Sequence, residues 1–196
     1  MRVLILVAVA IGYVILFLIH PFLENSLDRS VLTLVTRLET PELTQFCEFL
    51  SFIGSIHIQY PILIALFAVI GWKRPHQIIL LMFNLLGVRV ITLMLKSYVE
   101  RARPVEMLID AGGYSFPSGH AMITMAFYGY MFYLAYRKER WILIPGVLLL
   151  SLIGFSRIYL RVHYMSDVLA GWCAGGFWLS LTIIILHWFN IEKSTR

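Results

Sequence analysis

The sequence predicts an all-α, polytopic membrane protein of six transmembrane helices, with an amphipathic helical loop between spans 1 and 2. Two observations carry this. The chain is 60% hydrophobic over 196 residues, with a mean hydropathy of +0.81, against roughly 45 to 50% apolar content in soluble domains. Its apolar residues also gather in runs close to the ~20 residues that a helix needs to cross ~30 Å of hydrocarbon. Lipid offers the backbone no hydrogen-bond partner, so each such run must satisfy its own polar groups as a helix.

The first run, residues 3–21, follows Arg2 and resembles a secretory signal. It exceeds an h-region of about 7 to 15 residues and no small-x-small site follows it, so a retained helix is expected. The other spans are expected over 56–72, 77–96, 119–136, 141–160 and 167–189. Together they leave no room for a separate soluble domain, and residues 1–196 read as a single membrane domain.

The loop 22–55 is long enough to carry helices of its own. Leu27, Val31, Leu34, Val35 and Leu38 follow helical spacing and predict an amphipathic helix. Thr40 before Pro41 reads as an N-cap followed by proline at the first helical position, opening a second helix through Leu43, Phe46 and Leu50. Its sequence leaves two readings open, packing on the top of the bundle, or a lid over the site or lipid-guiding surface.

Orientation follows from basic residues in short loops, which resist translocation. Lys73 with Arg74, and Arg137, Lys138 and Arg140, mark turns on the same side as Arg2, Lys193 and Arg196. Six spans then put both ends in the cytoplasm. Glu24, Asp28, Glu39, Glu42, Glu48, Glu100, Glu106, Asp110 and Asp167 fall on the opposite, extracytoplasmic side. The formal charge of +5 comes from short clusters between apolar runs rather than a basic face with interleaved aromatics, which argues against nucleic acid as a partner. Cys47 in the loop and Cys173 inside an apolar run make no disulfide framework.

Three segments carry candidate chemistry, and all fall on the outer side. Lys96 and Arg103 are seven residues apart, so they share a helix face if the third span persists to Ala102; interfacial snorkelling is the plain alternative. Phe116-Pro117-Ser118-Gly119-His120 precedes the fourth span. Ser118 is a natural N-cap there, and a helix start with a glycine offers backbone N-H groups to an anion. Ser156-Arg157 leads to His163 and Asp167, four apart, a spacing that on a continuous helical turn lets the carboxylate fix the imidazole tautomer. Each segment alone also fits a structural role. Converging on one membrane face, cations, a helix N-terminus and two histidines suit phosphoryl transfer, where catalysis is positioning plus charge stabilisation.

The sequence resembles the type 2 phosphatidic acid phosphatase superfamily. Its first motif, lysine, six residues, Arg-Pro, is matched at Lys96 and Arg103-Pro104; its second, Pro-Ser-Gly-His, at 117–120; its third, Ser-Arg, five residues, His, three residues, Asp, at Ser156-Arg157, His163 and Asp167. The resemblance implies a lipid phosphatase of a bacterial cytoplasmic membrane with an outward-facing active site. His163 would be the nucleophile that forms a phosphohistidine, Asp167 its orienter, and His120 the acid and then base. Lys96, Arg103, Arg157, Ser118 and Gly119 would hold the phosphate, with neither metal nor cofactor. The partners implied are a lipid phosphate substrate and the bilayer. Phosphatidylglycerophosphate, undecaprenyl pyrophosphate and phosphatidic acid all fit as substrates; a phosphotransferase on the same site, or an anionic-lipid transporter, is the alternative.

Other residues stay open. Arg89 lies inside the third span, as does Asn84, and an intramembrane charge marks either an interior structural partner or a substrate contact. Arg161, Tyr159 and Tyr164 suit an interface or a headgroup, and Trp141 and Trp188 suit an aromatic belt. Gly112 and Gly113, with Glu106 and Asp110, form a flexible outer loop, read as a plain connector or, alternatively, as shaping substrate entry. The oligomeric state is not readable.

Overall fold

The computed structural model describes residues 26–70, 73, 75–136 and 138–194, and the regular structure among them is helical throughout. The span expected over 3–21, and Arg2, Arg74, Arg137 and Arg196, lie outside the described residues. The loop between the first two expected spans holds both predicted helices. Helix α1 (Leu27–Arg37) keeps Asp28 and Val35 buried while Leu34 and Leu38 stay exposed. Helix α2 (Pro41–Ile53) opens as its sequence dictates, with the Thr40 hydroxyl accepting from Leu43 N-H at 3.2 Å and Pro41 in the first turn.

The remaining helices are α3 (Ile56–Ile70), α4 (Pro75–Val99), α5 (Gly119–Tyr136), α6 (Leu143–Tyr159), led by a 3-10 turn over Arg140–Ile142, and α7 (Met165–Ser194). Among the described residues three stretches are long and apolar enough to cross a bilayer, Pro75–Val99, Arg140–Tyr159 and Met165–His187, and α2 with α3 forms a fourth candidate bent by 40°. The described part of helix α3 has 15 residues, or about 22 Å at 1.5 Å each, against the ~30 Å hydrocarbon layer. Helix α5 is less apolar because it carries His120 and the tyrosines 128, 130, 133 and 136. It tolerates them by sitting at the centre, packed against α4, α6 and α7.

The core forms around α5: Met122, Phe127 and Tyr130 meet Leu81 and Val88 of α4, Ile153 of α6 and Leu186 of α7. Close approach of α5 and α7 comes from two glycines one helical turn apart. A Cβ at Gly171 would stand 2.8 Å from the Ser118 carbonyl oxygen, and one at Gly175 would stand 2.6 Å from that of Met122. Small residues at this spacing let helix backbones touch inside lipid, where no hydrophobic gain drives association. Asn84, fully buried, adds polar bonds: its amide donates to the Ala126 carbonyl at 2.7 Å, its side-chain oxygen accepts from Thr182, and its carbonyl accepts from Trp178.

Outward, the bundle is apolar. Ile64, Ile79, Leu86, Met94, Ile144 and Val147 are all more than 60% exposed, a surface suited to acyl chains rather than water. Trp141, 62% exposed, lies at the start of its span as an interfacial residue does; the side chain of Trp188 lies outside the described residues. Cys47 and Cys173 are unbridged.

Candidate active site

The three motif segments meet at one end of the bundle, where α4 ends, α5 begins, α6 ends and α7 begins. The Gly171 and Gly175 contacts set this register, because they hold the start of α5 against the start of α7. There the buried Ser118 donates its N-H to the Asp167 carbonyl at 3.0 Å, and its hydroxyl accepts from Ala121 N-H at 3.4 Å, as expected of an N-cap. Gly119 faces α4: a Cβ there would lie 3.4 Å from Thr92 and 4.0 Å from the Lys96 side chain.

His163 and Asp167 do not share a continuous helical turn, contrary to the sequence expectation. The chain leaves α6 at Tyr159 and bends through Arg161, whose φ is +55°, before α7 starts at Met165. Asp167 thus lies in the first turn of α7, where its carboxylate accepts from Tyr164 N-H at 2.9 Å, the N3-to-N-cap half of a capping box. The same oxygen faces His163 Nδ1 at 3.4 Å. On the other side of the ring, Arg103 lies 3.4 Å from Nε2. A guanidinium only donates, so Nε2 is the acceptor and Nδ1 carries the proton toward Asp167. Burial pushes the imidazole pKa down to about 4, with Asp167 opposing the shift. The ring is therefore neutral at pH 7, with its lone pair toward the cleft.

Lys96 and Arg103 reach this point by a different route from the shared helix face expected of them. Helix α4 stops at Val99 and Glu100 takes a left-handed φ of +51°, so Arg103 belongs to a loop. It is held there by the carbonyls of Gly112 at 2.9 Å, Gly113 at 3.0 Å and Val162 at 2.6 Å. Those glycines, expected as a plain connector, act as acceptors that aim a cation. Lys96 donates to the Tyr114 carbonyl. Arg157 is buried, donates to the Ser51 hydroxyl of α2, and keeps an Nε without a protein partner.

One cleft of about 630 Å³ is lined by Lys96, Arg103, Gly119, His120, Arg157 and His163. Asp110 is the carboxylate among its lining residues, and Asp167 is engaged elsewhere. The cleft is therefore a concave, cationic space with a helix N-terminus and the imidazoles of His57, His120 and His163 on its wall. A tetrahedral oxyanion suits it, as does the charge that develops on equatorial oxygens during its transfer.

Several residues that build the site lie outside the three motifs. Arg101 is the hinge: it donates to Asp167 at 2.6 Å, to the Ser166 hydroxyl at 2.7 Å and to Asp28 of α1 at 2.7 Å. The two ion pairs are all but sealed from solvent. Asp28 also accepts from the Ser166 N-H at 2.9 Å, and the Ser115 hydroxyl donates to Asp167. Sequence spacing gave no signal for these pairings. Arg161 instead pairs with Glu39 at 3.1 Å and Glu106 at 3.5 Å, Tyr159 bonds Thr40 and Thr44 of the α2 start, and the Arg101 guanidinium lies 4.0 Å from the Tyr164 ring centroid. These three fasten the outer helices and loops rather than line the cleft.

A neutral buried histidine with its carboxylate, set beside clustered cations at one end of apolar helices, defines a membrane-embedded site for phosphate-group chemistry. The chain belongs to the PAP2 superfamily, whose description it matches over residues 77–191. It is 30% identical over 188 residues to Phosphatidylglycerophosphatase B of Bacillus subtilis, covering 91% of this chain and 90% of that one. It is 40% identical over 67 residues to Undecaprenyl-diphosphatase of Sulfolobus acidocaldarius, covering 34% of this chain and 31% of the relative. The fold is similar to that of a crystal structure of a transmembrane PAP2-type phosphatidylglycerolphosphate phosphatase from Bacillus subtilis. That likeness has a TM-score of 0.85 and 24% identity, and covers 93% of this chain and 96% of the other.

Proposed function

We propose that this chain is a lipid phosphatase that hydrolyses a phosphate monoester or diphosphate on a membrane lipid through a phosphohistidine on His163. The observation that carries the reading is the orientation of one ring: Nδ1 toward Asp167, Nε2 toward a cleft walled by Lys96, Arg103, Arg157 and His120. In the first step Nε2 attacks phosphorus, an N-P bond forms and the P-O bond to the lipid breaks. His120, entering this step as the imidazolium, gives its proton to the departing oxygen and is left neutral. Asp167 stabilises the positive ring that results, as the orienter of a nucleophile does. In the second step neutral His120 takes a proton from water as that water's oxygen attacks phosphorus. The N-P bond breaks, and inorganic phosphate and free His163 are regenerated. Lys96, Arg103 and Arg157 neutralise the phosphoryl oxygens throughout, and Ser118 and the Gly119 backbone help to hold them.

The chain is read as one domain of six spans: the apolar run 3–21, α3 with α2 leading into it, α4, α5, α6 and α7. The site is read as lying on the extracytoplasmic face of a bacterial inner membrane with both termini cytoplasmic, a reading supported by Lys73, Lys138 and Arg140 in the turns away from the site. Relatives named for phosphatidylglycerophosphate and undecaprenyl diphosphate support a substrate whose phosphate is borne on a lipid. The test is inorganic phosphate release by purified protein in detergent from a panel of such lipids. His163→Ala should lose on the order of 10⁴-fold or more in kcat, and His120→Ala on the order of 10² to 10⁴. Undiminished turnover by His163→Ala would remove the nucleophile from this scheme.

A further inference from the structure

Arg89 of α4 lines the catalytic cleft and belongs to the site already described. A second cavity, of about 650 Å³, shares no lining residue with that cleft. Its walls come from α1, from the loop after α4 and from the link between α6 and α7. Four arginines line it, Arg29, Arg37, Arg101 and Arg161, and Glu106 is the one carboxylate among the described residues there. Arg101 is committed to Asp28 and Asp167, but Arg37 and Arg161 have charge to offer. Arg37 is exposed and has no hydrogen bond or ion pair among the described residues. Arg161 is buried, and its Nε has no partner there. Its ion pairs reach out to Glu39 at 3.1 Å and to Glu106 at 3.5 Å, and the Glu106 side chain is 80% exposed. Pairs with such water-facing carboxylates are weak, so an incoming phosphate can replace them.

Helix α1 sets the level at which this cavity lies. Leu27, Leu34 and Leu38 are spaced by seven and four, so they form one stripe, and all three are exposed. Arg29, Thr33 and Arg37 follow one another at intervals of four on another side of the helix, and that side lines the cavity. A helix so divided lies in the membrane interface, with its apolar stripe among acyl chains and its arginines among headgroups. The cavity is itself amphipathic: Leu32, Pro104 and Val105 line it beside the cations, and Val105 is 97% exposed. A free phosphate would meet the arginines and leave that apolar rim in water. A lipid covers both, its phosphate on the arginines and its glycerol and upper acyl chain on the rim. We propose that this cavity is a second phosphate-binding site, separate from the catalytic cleft and filled by the headgroup of an anionic bilayer lipid. The lipid there is held and not cleaved, because no histidine is among the described residues lining the cavity. The site stands independently of the phosphatase reading.

The experiment titrates the full-length protein, in micelles of a neutral detergent, with phosphatidylinositol, phosphatidylcholine or inorganic phosphate, and counts bound lipid by native mass spectrometry. Phosphatidylinositol carries a phosphodiester with a neutral headgroup, whereas the phosphate of phosphatidylcholine is already matched by its own choline cation. The wild type should therefore bind phosphatidylinositol at least about 10-fold more tightly than phosphatidylcholine. Charge-assisted hydrogen bonds to a phosphate are strong enough that Arg37→Gln should weaken that binding by about 10- to 100-fold, and Arg37→Lys should keep most of it. Lipid that stays on Arg37→Gln but leaves Lys96→Gln lies in the catalytic cleft, and this result overturns the proposal. Displacement of the lipid by an equal concentration of inorganic phosphate makes the site one for the free ion and overturns the lipid assignment. Should Arg37→Gln fail to fold, the wild type decides: equal affinity for the two lipids overturns the site.

Discussion

At the residue scale the site depends on one proton and one brace. His163 has a folded pKa of about 4 against an ordinary 6.5, lowered by burial. It should therefore titrate near pH 4 by NMR of ring-labelled protein, and half-protonation at 6.5 would contradict the geometry. The sign for stability follows: the unfolded ring binds a proton near 6.5 and the folded one does not. The folded state is favoured above 6.5 and loses that advantage as pH falls from 6.5 toward 4. The brace is Arg101. Removing one member of a buried ion network leaves the others unpaired at a cost of about 3 to 5 kcal/mol. Asp28→Asn should thus lower the thermal unfolding midpoint of the detergent-solubilised protein by several degrees and reduce kcat, although residue 28 lies outside the cleft. An unchanged midpoint would show that the pair is dispensable. Motif spacing located Lys96, Arg103, Ser118, His120, Arg157, His163 and Asp167 around one point. It was silent on Asp28, Arg101 and Ser115, because their pairing is decided by tertiary closure: Arg101 meets partners 66 and 73 positions away.

At the element scale, hydropathy and caps placed the helices well. The fourth expected span and α5 share the bounds 119–136, and Thr40 with Pro41 marked the start of α2. The breaks in helices were less legible. Nothing in the run from Lys96 to Arg103 forces a stop at Val99, and the left-handed turn at Arg161 falls on a residue type that rarely adopts it. The packing of α7 against α5 rests on Gly171 and Gly175, which read as unremarkable members of an apolar run until a neighbouring backbone is brought against them. Gly175→Ala places a methyl group 2.6 Å from the Met122 carbonyl oxygen, where backbone rather than a flexible side chain must yield. The expected cost is about 1 to 3 kcal/mol, seen as a lowered unfolding midpoint, with activity reduced because Ser118 and Asp167 move apart. The same substitution at Gly112, where nothing lies within 4 Å, should leave the midpoint unaltered.

At the scale of the whole molecule, the apolar exterior and the cationic cleft at one end give the protein a direction. With Cys47 and Cys173 replaced by serine, Asp110→Cys should react with a membrane-impermeant maleimide on intact cells. Lys138→Cys should react only after the membrane is broken. The reverse pattern would turn the site toward the cytoplasm. The contact of α1 with α7 also fixes an order of events during biosynthesis. Asp28 and Ser166 are 138 positions apart, so at about 5 to 20 residues per second the ribosome needs roughly 7 to 28 s between them. Throughout that interval the early helix has no late helix to receive it. Asp28 and Arg101 meet Ser166 and Asp167 only once the last helix is in place, so a nascent or truncated chain carries Lys96, Arg103 and His120 without the ion network that closes around Asp167.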